Sequence, residues 1–500
     1  MDASGFQMKA NRVSELLDHA VFAFLAIFAA LLPHSIKGAE RAWKIALVLW
    51  LIKLVTARVR PFKQPLAAPL LAYAVLSATS TALSPEPYLS WDRMKIVCLY
   101  LAGIVVAQNL KRLSQVRVLV LLFVFSGLAA AIFTGWQYTY GVGVRVATLT
   151  ESSRLGQQGI HPNDIITHVN GHSIHKPEEL QHAIAQAPAG STITVKVLRY
   201  FEVSPTVMTF TANDFSTAGL GTPAMQLDRG RPYRAQGTLG HYVVFAEMLM
   251  QIGCMAWAML LVTNRRETGW WTALGVAFLG ITAALLMTGT RAAVAGLIVG
   301  CLLSLLILRK GFLRWVAVAA LIVVLAGATA WIQHSRGVKW VDHSDVSTHF
   351  RVLMWQDGIR LARQHPWFGV GMETVRMHWV EWNIRGFIQY HVMSHFHSTY
   401  LQIAVERGIP ALLAWLWFCG AYLVFLVRLF GRVARNNRTM AGVVSGIFAA
   451  FTAFALTGFL HYNLGEEPLA MALFFLYGLA TAIDRIASND ETSTMAVEMP

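Results

Sequence analysis

The sequence predicts an all-α polytopic membrane protein of about twelve transmembrane helices, with a small α/β insertion outside the membrane. Hydrophobic residues make up 55% of the 500 residues and charged residues only 14%, against about 25% in an ordinary soluble domain. The mean hydropathy is +0.49. These values exclude a soluble enzyme, a disordered chain and a disulfide scaffold. The four cysteines lie in apolar runs and are expected to be core residues.

Apolar runs of roughly 20 residues predict the membrane spans. They cover residues 17–33, 42–59, 66–83, 95–110, 117–138, 240–263, 270–288, 292–308, 314–332, 399–427, 441–461 and 465–484. Lys44 and Lys53 lie in the second run and Lys95 begins the fourth, so these two are less apolar than the others. The polar tail 488–500 is predicted to be disordered.

The basic residues between spans predict the orientation. Alternate gaps, counted from a cytoplasmic N-terminus, contain Arg58, Arg60 and Lys63; Lys111, Arg112 and Arg117; Arg265 and Arg266; Arg309, Lys310 and Arg314; and Arg428, Arg432, Arg435 and Arg438. Cytoplasmic loops carry such an excess of Lys and Arg, so both termini are predicted to be cytoplasmic. The same loops explain the net charge of +14 without a nucleic-acid partner. Segments 139–239 and 333–398 then lie outside.

Residues 144–212 differ in character from their surroundings and predict the insertion. Ser191–Tyr200 alternates like a strand, and a helix is predicted from Pro177, because proline suits a first turn. The order of these elements, with the Val-Asn-Gly turn at 169–171, resembles a bacterial PDZ domain. The resemblance implies a peptide or protein partner bound by strand addition, with residues 141–144 as the loop that captures a chain end. A simple spacer or docking surface is the alternative.

Three motifs lie at predicted outer boundaries of the membrane. The first is "RGRPYRAQGTLGH" at 229–241, before the sixth span. The second is "LMTGTRAAVAG" at 286–296, and the third is "HFHSTYLQIAVERGIPA" at 395–411, which enters the tenth span. Between the last two lies "HFRVLMWQDGIRLARQHPWFGVGMETV" at 349–375. All the chemically suggestive residues therefore fall on one predicted face.

In this order the motifs resemble the O-antigen ligase and O-antigen polymerase superfamily of polytopic bacterial glycosyltransferases. The family's ligase motif is matched by His397, Ser398, nine residues and Gly408, but Ala411 departs from its last position. The resemblance implies transfer of a glycan from a polyprenyl (undecaprenyl) pyrophosphate carrier to an acceptor hydroxyl at the periplasmic face. It further implies inversion at the anomeric carbon, no cofactor, no metal and a place in the bacterial inner membrane.

The residue types fit that chemistry independently of the family. Arg234 and Arg291 are predicted to neutralise the pyrophosphate, because guanidinium groups stay charged and bind phosphate bidentately. His397 is the predicted base, since an imidazole titrates near neutrality. The predicted substrate-binding residues beside these three are Arg351, Arg231, His395 and Tyr400.

Each of these residues also has a structural interpretation. Outer-boundary arginines such as Arg234 and Arg291 often extend to the membrane interface without a functional role. Arg231 fits an ordinary loop charge, Arg351 fits a helix cap, and His397 fits a packed loop histidine. A zinc site is not expected, because His391 and His395 have helical spacing but no recognised ligand pattern with the nearest carboxylates.

The predicted domains are the helices of 1–138, the PDZ-like insertion 144–212, and the helices of 229–487 with the catalytic loop 333–398.

The predicted function is O-antigen ligation to lipid A–core in lipopolysaccharide synthesis. A polymerase or a protein O-oligosaccharyltransferase is the alternative within the class. Membrane lipids are expected partners. An intramembrane zinc protease is excluded because the sequence lacks His-Glu-x-x-His. A transporter is the alternative from another class, and it would need ionisable groups near the bilayer midplane.

Overall fold

The computed structural model describes most of the chain. The described residues are 3–56, 61–150, 152–188, 190–199, 206–220, 222, 224–231, 234–312, 314–316, 318–320, 322–323, 326–327, 346–390 and 395–498. Outside them lie Arg58, Arg60, several residues of the predicted ninth span, and residues 333–345 and 391–394 of the predicted outer loop, which include His391.

Helices dominate the described residues. They cover Ala3–Leu31, Ile36–Thr56, Ala67–Ala82, Pro87–Val97, Tyr100–Asn109, Leu113–Tyr140, Arg154–Gln157, Pro177–Ala185, Ala212–Thr217, Tyr242–Val262, Thr268–Thr288, Arg291–Leu308, Val346–Gln364, Val375–His378, Arg385–Tyr390, Thr399–Val433, Arg438–Thr457 and Glu467–Glu498. A short 3₁₀ helix covers Asn463–Gly465. The last helix continues through most of the tail that its composition predicts to be disordered.

Among the described residues, 8 helices are long and apolar enough to cross a membrane. They are Val13–Leu31, Leu113–Tyr140, Tyr242–Val262, Thr268–Thr288, Arg291–Leu308, Thr399–Val433, Arg438–Thr457 and Glu467–Asn489. The prediction of a mostly helical, polytopic membrane protein is therefore confirmed, whereas the count of twelve spans stays a prediction.

The predicted fourth span is the clearest local difference. Residues 95–110 do not form one helix but the end of Pro87–Val97 and the separate helix Tyr100–Asn109. The first of these helices carries Asp92, Arg93 and Lys95, so it is too polar to continue an apolar span. The predicted second span corresponds to the helix Ile36–Thr56.

The chain divides into two compact units. The first contains 1–127, 247–282 and 291–500, and the second contains 128–246 and 283–290. In the first unit, the helix Tyr100–Asn109 packs closely on Glu467–Glu498 because both carry glycine at the contact. A Cβ atom at Gly103 would lie 2.5 Å from the carbonyl oxygen of Phe474, and one at Gly478 would lie 2.5 Å from that of Gly103. Small residues allow this approach between membrane helices.

The helix Thr399–Val433 is broken at Gly408, which adopts φ 84° and ψ 168°. The break leaves carbonyl groups without helical donors, partly because Pro410 has no N–H. The segment 366–371 supplies the missing bonds. Val370 N donates to Val405 O and Gly371 N to Glu406 O, both at 2.9 Å, and Ile409 N donates to Pro366 O at 2.8 Å. Two of the stretches that carry the family resemblance therefore meet at this break.

The helix Val346–Gln364 packs against the first turns of Thr399–Val433 and against Arg385–Tyr390. Buried apolar side chains fill this contact, among them Met354, Leu361, Phe387 and Phe396. Asp357 is fully buried and accepts hydrogen bonds from the backbone N and the Nε of Arg385 at 2.8 and 2.9 Å. The described part of the loop 333–398 is thus a packed helical subdomain.

The second unit contains an antiparallel sheet of six strands in the order β5-β4-β2-β1-β6, with β3 paired to β2. The strands are β1 Gly143–Leu149, β2 Ile165–Val169, β3 His172–Ser173, β4 Thr192–Leu198, β5 Thr206–Thr211 and β6 Met225–Gly230. Their inward side chains form a buried core with Leu180 and Ile184 of the helix Pro177–Ala185. The sheet therefore reaches beyond residue 212, where the insertion was predicted to end.

The predicted turn and helix of the insertion are present. Asn170 and Gly171 have φ of 47° and 84°, as a two-residue hairpin between β2 and β3 requires. The helix predicted from Pro177 runs to Ala185. The hypothesis that residues 141–144 capture a chain end is wrong, because this backbone belongs to the sheet. Val142 N donates to Gly230 O at 3.0 Å, and Val144 is paired on both sides, with Ile166 and with Arg229.

Substituting Gly408 tests the break in the helix Thr399–Val433. An added Cβ atom at Gly408 would lie 2.2 Å from the carbonyl oxygen of Trp367, and the positive φ strains any other residue. We expect Gly408→Ala to lower the free energy of unfolding by about 1–3 kcal/mol, measured by thermal unfolding in detergent. Gly420→Ala, on the same helix, is the control because its Cβ atom would meet nothing within 4 Å. Equal stability of the two variants would contradict the structure at the break.

Candidate functional site

His397 lies in the short loop 395–398 that leads into the helix Thr399–Val433. Its backbone adopts φ 48°, a left-handed conformation that a non-glycine residue seldom takes. His397 N donates to Nδ1 of His395 at 3.1 Å, and Ser398 caps the helix by accepting a bond from Leu401 N at 3.4 Å. Functional loops often contain such strained residues, held in place by the surrounding contacts.

The imidazole of His397 lies among aromatic rings and positive groups. Its ring centre is 4.6 Å from that of His395 and 5.3 Å from that of Phe350. Burial holds the pKa of His397 well below its ordinary value, and the charges of His395, Arg351 and His461 lower it further. Its Nε2 is buried and has no hydrogen-bond partner among the described residues. The ring is therefore neutral near pH 7, and Nε2 can accept a proton.

Thr399 anchors this loop to the turn between the last two membrane helices. Its backbone N donates to Gly458 O at 2.7 Å and to His461 O at 3.0 Å. Its hydroxyl is bonded to His461 O and to Oδ1 of Asn463, at 3.1 and 2.8 Å. The position of His397, two residues earlier, thus depends on a segment more than fifty residues further along the chain.

The other residues predicted for the first unit have distinct places. Arg351 lies on the helix Val346–Gln364, close enough to His397 for its charge to lower that pKa. Tyr400 packs on Phe459, and its hydroxyl donates to Ala455 O at 2.7 Å. His395 lies beside His397 and 5.6 Å from the ring of Tyr462. Arg291 is half-buried and is the first residue of the helix Arg291–Leu308.

Arg231 and Arg234 belong to the second unit. The guanidinium of Arg234 lies over the ring of Tyr242 at 4.5 Å, and that of Arg231 lies 5.8 Å from the ring centre of Tyr138. Arginine is held over aromatic rings in this way while its N–H groups remain directed outward. The convergence of Arg234 with Arg291 and His397 stays a prediction.

The sequence reasoning missed a buried ionic cluster about two turns into the helix that follows His397. Glu406 and Arg407 are both about 2% exposed at the side chain and lie 3.8 Å apart. Glu406 accepts bonds from Glu373 N and from Nε2 of Gln402, both at 2.9 Å. Gln402 in turn accepts a bond from Phe396 N at 2.8 Å, so the cluster supports the loop that carries His397.

Arg407 has fewer partners than its charge requires. One Nη atom lies 3.0 Å from the sulfur of Met372 and 3.4 Å from the hydroxyl of Tyr462. Its Nε and its other Nη have no hydrogen-bond partner among the described residues. The sequence does contain a signal for this cluster, the adjacent charges Glu406 and Arg407 inside an apolar run. Such charges are costly in a membrane segment and mark functional sites.

No group of three or more His, Cys, Asp or Glu residues that could hold a metal ion occurs in the described part of the chain. His391 lies outside the described residues, so the pair that it forms with His395 in the sequence has no described geometry. Arg351 is a permanently charged residue near His397.

Two family models match this chain. Residues 274–416 match the family described as O-antigen ligase, and residues 110–205 match the PDZ domain. The first match contains Arg291, Arg351 and His397, and both confirm the resemblances predicted from the sequence. The start of the second match overlaps the apolar helix Leu113–Tyr140, whereas the sheet begins at Gly143. The first match indicates a membrane-embedded glycosyltransferase of the O-antigen ligase and polymerase type.

A curated protein shares a short stretch with this chain. The magnetosome formation protease MamE of Magnetospirillum gryphiswaldense is 36% identical over 64 residues, which are 13% of this chain and 8% of that protein. The chain thus spans less than a tenth of the curated relative that it matches, and the protease activity in that name concerns the relative.

Proposed function

We propose that this protein transfers a glycan from a polyprenyl pyrophosphate carrier to an acceptor hydroxyl at the periplasmic face of a bacterial inner membrane. The observation that carries the proposal is the setting of His397, a buried imidazole whose pKa is lowered by burial and whose Nε2 has no partner among the described residues. It lies inside the stretch that matches the O-antigen ligase family. The first acceptor to test is lipid A–core, which makes the reaction an O-antigen ligation.

In the proposed reaction His397 is the general base. Its Nε2 takes the proton of the acceptor hydroxyl while the hydroxyl oxygen attacks the anomeric carbon of the lipid-linked glycan. A new C–O bond forms as the bond to the pyrophosphate oxygen breaks, with inversion at the anomeric carbon. The polyprenyl pyrophosphate leaves with the electron pair, and the proton remains on the imidazole until solvent removes it. Such a base contributes about 10²–10⁴-fold to the rate.

Arginines stabilise the leaving group in this proposal. Arg234 and Arg291 bind the pyrophosphate bidentately, with Arg351 and Arg231 as further anion contacts. His395 and Tyr400 border the substrate beside His397. Fixed positive groups stabilise the charge that develops on the pyrophosphate, so a divalent cation is not required.

The membrane arrangement supports an outer-leaflet reaction over transport. Glu247, Glu406 and Arg407 are ionisable residues within candidate spans, and they lie about 8–12 Å along the axis from the first residue of their helices. A carrier would place such groups near the midplane. With both termini cytoplasmic, as the loop charges predict, these helix ends face the periplasm.

A polymerase or a protein O-oligosaccharyltransferase differs from a ligase only in the acceptor. The PDZ domain favours keeping the protein acceptor as the second candidate, because such modules bind extended chains. Within the sheet, β1 is paired on both sides, whereas β5 and β6 are the two edges of the described strand order. The helix Pro177–Ala185 contacts β6. The peptide is therefore proposed to add to β6.

The proposal is tested by transfer in vitro from a polyprenyl-pyrophosphate glycan to lipid A–core, to a lipid-linked repeat unit and to a Ser/Thr-containing protein, with a chelator present. His397→Ala is expected to lower kcat by about 10²–10⁴-fold, and Arg291→Ala or Arg234→Ala by about 10²–10³-fold. Arg112→Ala, an exposed residue of a predicted cytoplasmic loop, is the control and should be fully active. Full activity of His397→Ala would overturn the assignment of the base, and no transfer to any acceptor would overturn the proposed function.

The pH dependence tests the environment of His397. Because the neutral imidazole is the base and its pKa is lowered, kcat/KM should be constant near pH 7 and fall only below about pH 6.5. Arg351→Gln removes a positive charge that disfavours the imidazolium, so the acid limb should move to higher pH. Arg363→Gln, an exposed residue on the same helix, should leave the limb in place. An acid limb above pH 7 in the wild type would contradict the lowered pKa.

Photo-crosslinking tests the proposed peptide edge. The full-length protein in detergent is screened with a library of peptides that have free carboxyl ends, and retained peptides are resynthesised with a photo-crosslinker. Labelling is expected on β6, around the exposed Arg229, because an added strand pairs with an open sheet edge. The matched site on the opposite edge is the exposed Thr209 of β5. Labelling confined to β5, or retention of no peptide, would refute binding at β6.

A further inference from the structure

A second buried contact between titratable side chains lies in the first unit, between Glu247 and His461. Glu247 on the helix Tyr242–Val262 is fully buried, and its Oε1 is 2.5 Å from Nδ1 of His461. Its Oε2 accepts a hydrogen bond from the hydroxyl of Thr457 at 3.2 Å. Burying a carboxylate is costly unless it is paired and hydrogen-bonded. Both oxygens are engaged here, and both of their partners lie at one turn of the chain.

That turn is the segment 457–463, which joins the last two membrane helices. Asn463 ties it together, since its Nδ2 donates to Phe454 O at 2.8 Å and to the hydroxyl of Thr457 at 3.1 Å. The turn is also bonded to Glu247, which accepts from Nδ1 of His461 and from the hydroxyl of Thr457. Glu247 therefore joins the helix Tyr242–Val262 to this turn through its contacts with His461 and Thr457.

The same turn holds the loop of His397. The backbone N and the hydroxyl of Thr399 both donate to the carbonyl oxygen of His461, at 3.0 and 3.1 Å. The hydroxyl also donates to Oδ1 of Asn463 at 2.8 Å. A continuous chain of hydrogen bonds thus leads from Glu247 through His461 to Thr399, which follows His397 by two residues.

We propose that Glu247 and His461 are positioning residues that set the location of the His397 imidazole through Thr399. This inference rests on the proposed function, in which His397 is the base. Neither residue touches the substrate in this assignment. Displacing a reacting group by about 1 Å can cost about 10²-fold in rate, so a shift of the turn should lower kcat. Because the turn does not bind the lipid pyrophosphate, the KM for the donor should change little.

The test separates positioning from folding by matched substitutions. Glu247→Leu removes both acceptors and should lower kcat by about 10²-fold, with the donor KM within about twofold. Glu247→Gln keeps an acceptor for His461, and His461→Asn keeps a donor near the Nδ1 position, so each should retain most of the activity. Thr399→Val deletes one hydroxyl at nearly constant volume and should lower kcat by about 10-fold.

Thr452→Val is the control for Thr399→Val. Among the described residues, the hydroxyl of Thr452 bonds only within its own helix, to Phe448 O at 2.8 Å, so its loss should leave kcat unchanged. The same variants are compared by the ¹³C ring signal of His397, identified by its loss in His397→Ala. Thr399→Val should move that signal and Thr452→Val should not.

Two measurements, kcat and the ring signal of His397, distinguish a failure of the inference from a failure of the proposed function. An unmoved His397 signal together with a normal kcat in Glu247→Leu and Thr399→Val would overturn the inference while the function stood. A wild-type protein that transfers glycan to no acceptor would overturn the function, and the ring signal would then decide alone whether Glu247 and His461 position His397. A loss confined to donor KM would place these residues at the donor and also overturn the inference.

Discussion

The broken helix at Gly408 is the constraint on which the described part of the site depends. A helix that stops and restarts inside an apolar environment exposes backbone carbonyls, and each unsatisfied one costs free energy. The amides of residues 370 and 371 and the hydroxyl of Ser80 meet the carbonyls of Val405 and Glu406. The helical subdomain 346–390 is thereby fixed to Val405 and Glu406, in the helix that follows His397. Residues 399–407 form the helical stretch that separates the loop of His397 from the break at Gly408.

The sequence predicted the helices where apolar runs are long, because helix length and hydropathy are local properties. It is less informative where tertiary pairing decides. Lys53 counts against a buried helix, yet its side chain is 6% exposed and pairs with Asp18 at 2.5 Å, a residue of the preceding helix. Lys111 pairs with the same carboxylate. Nothing in the local pattern links these positions. Lys53 therefore makes the predicted second span less apolar in the sequence, although its charge is paired with Asp18 in the structure.

The residues of the site also differ in whether a local sequence pattern reveals them. His397 and Arg291 are recognisable because they stand in short motifs at the ends of apolar runs. Glu247 and His461 are 214 residues apart, and their partnership becomes visible only in three dimensions. An isolated acid or histidine in a span has many explanations, whereas a buried pair whose turn also anchors Thr399 has few. A charged residue within an apolar run is the signal that sequence reasoning should have followed, for Glu247 as for Glu406 and Arg407.

The insertion and the arginine segment are continuous in the chain, which gives the PDZ domain a physical connection to the proposed chemistry. Strand β6 ends at Gly230, Arg231 follows directly, and Arg234 lies over Tyr242 at the start of a membrane helix. A strand that adds to β6 would restrict the backbone of the residues that pair with it, up to Gly230, because each new ladder bond restricts the residue that makes it. A peptide on β6 would therefore lie next to Arg231, one of the proposed anion contacts, because that residue follows the strand directly.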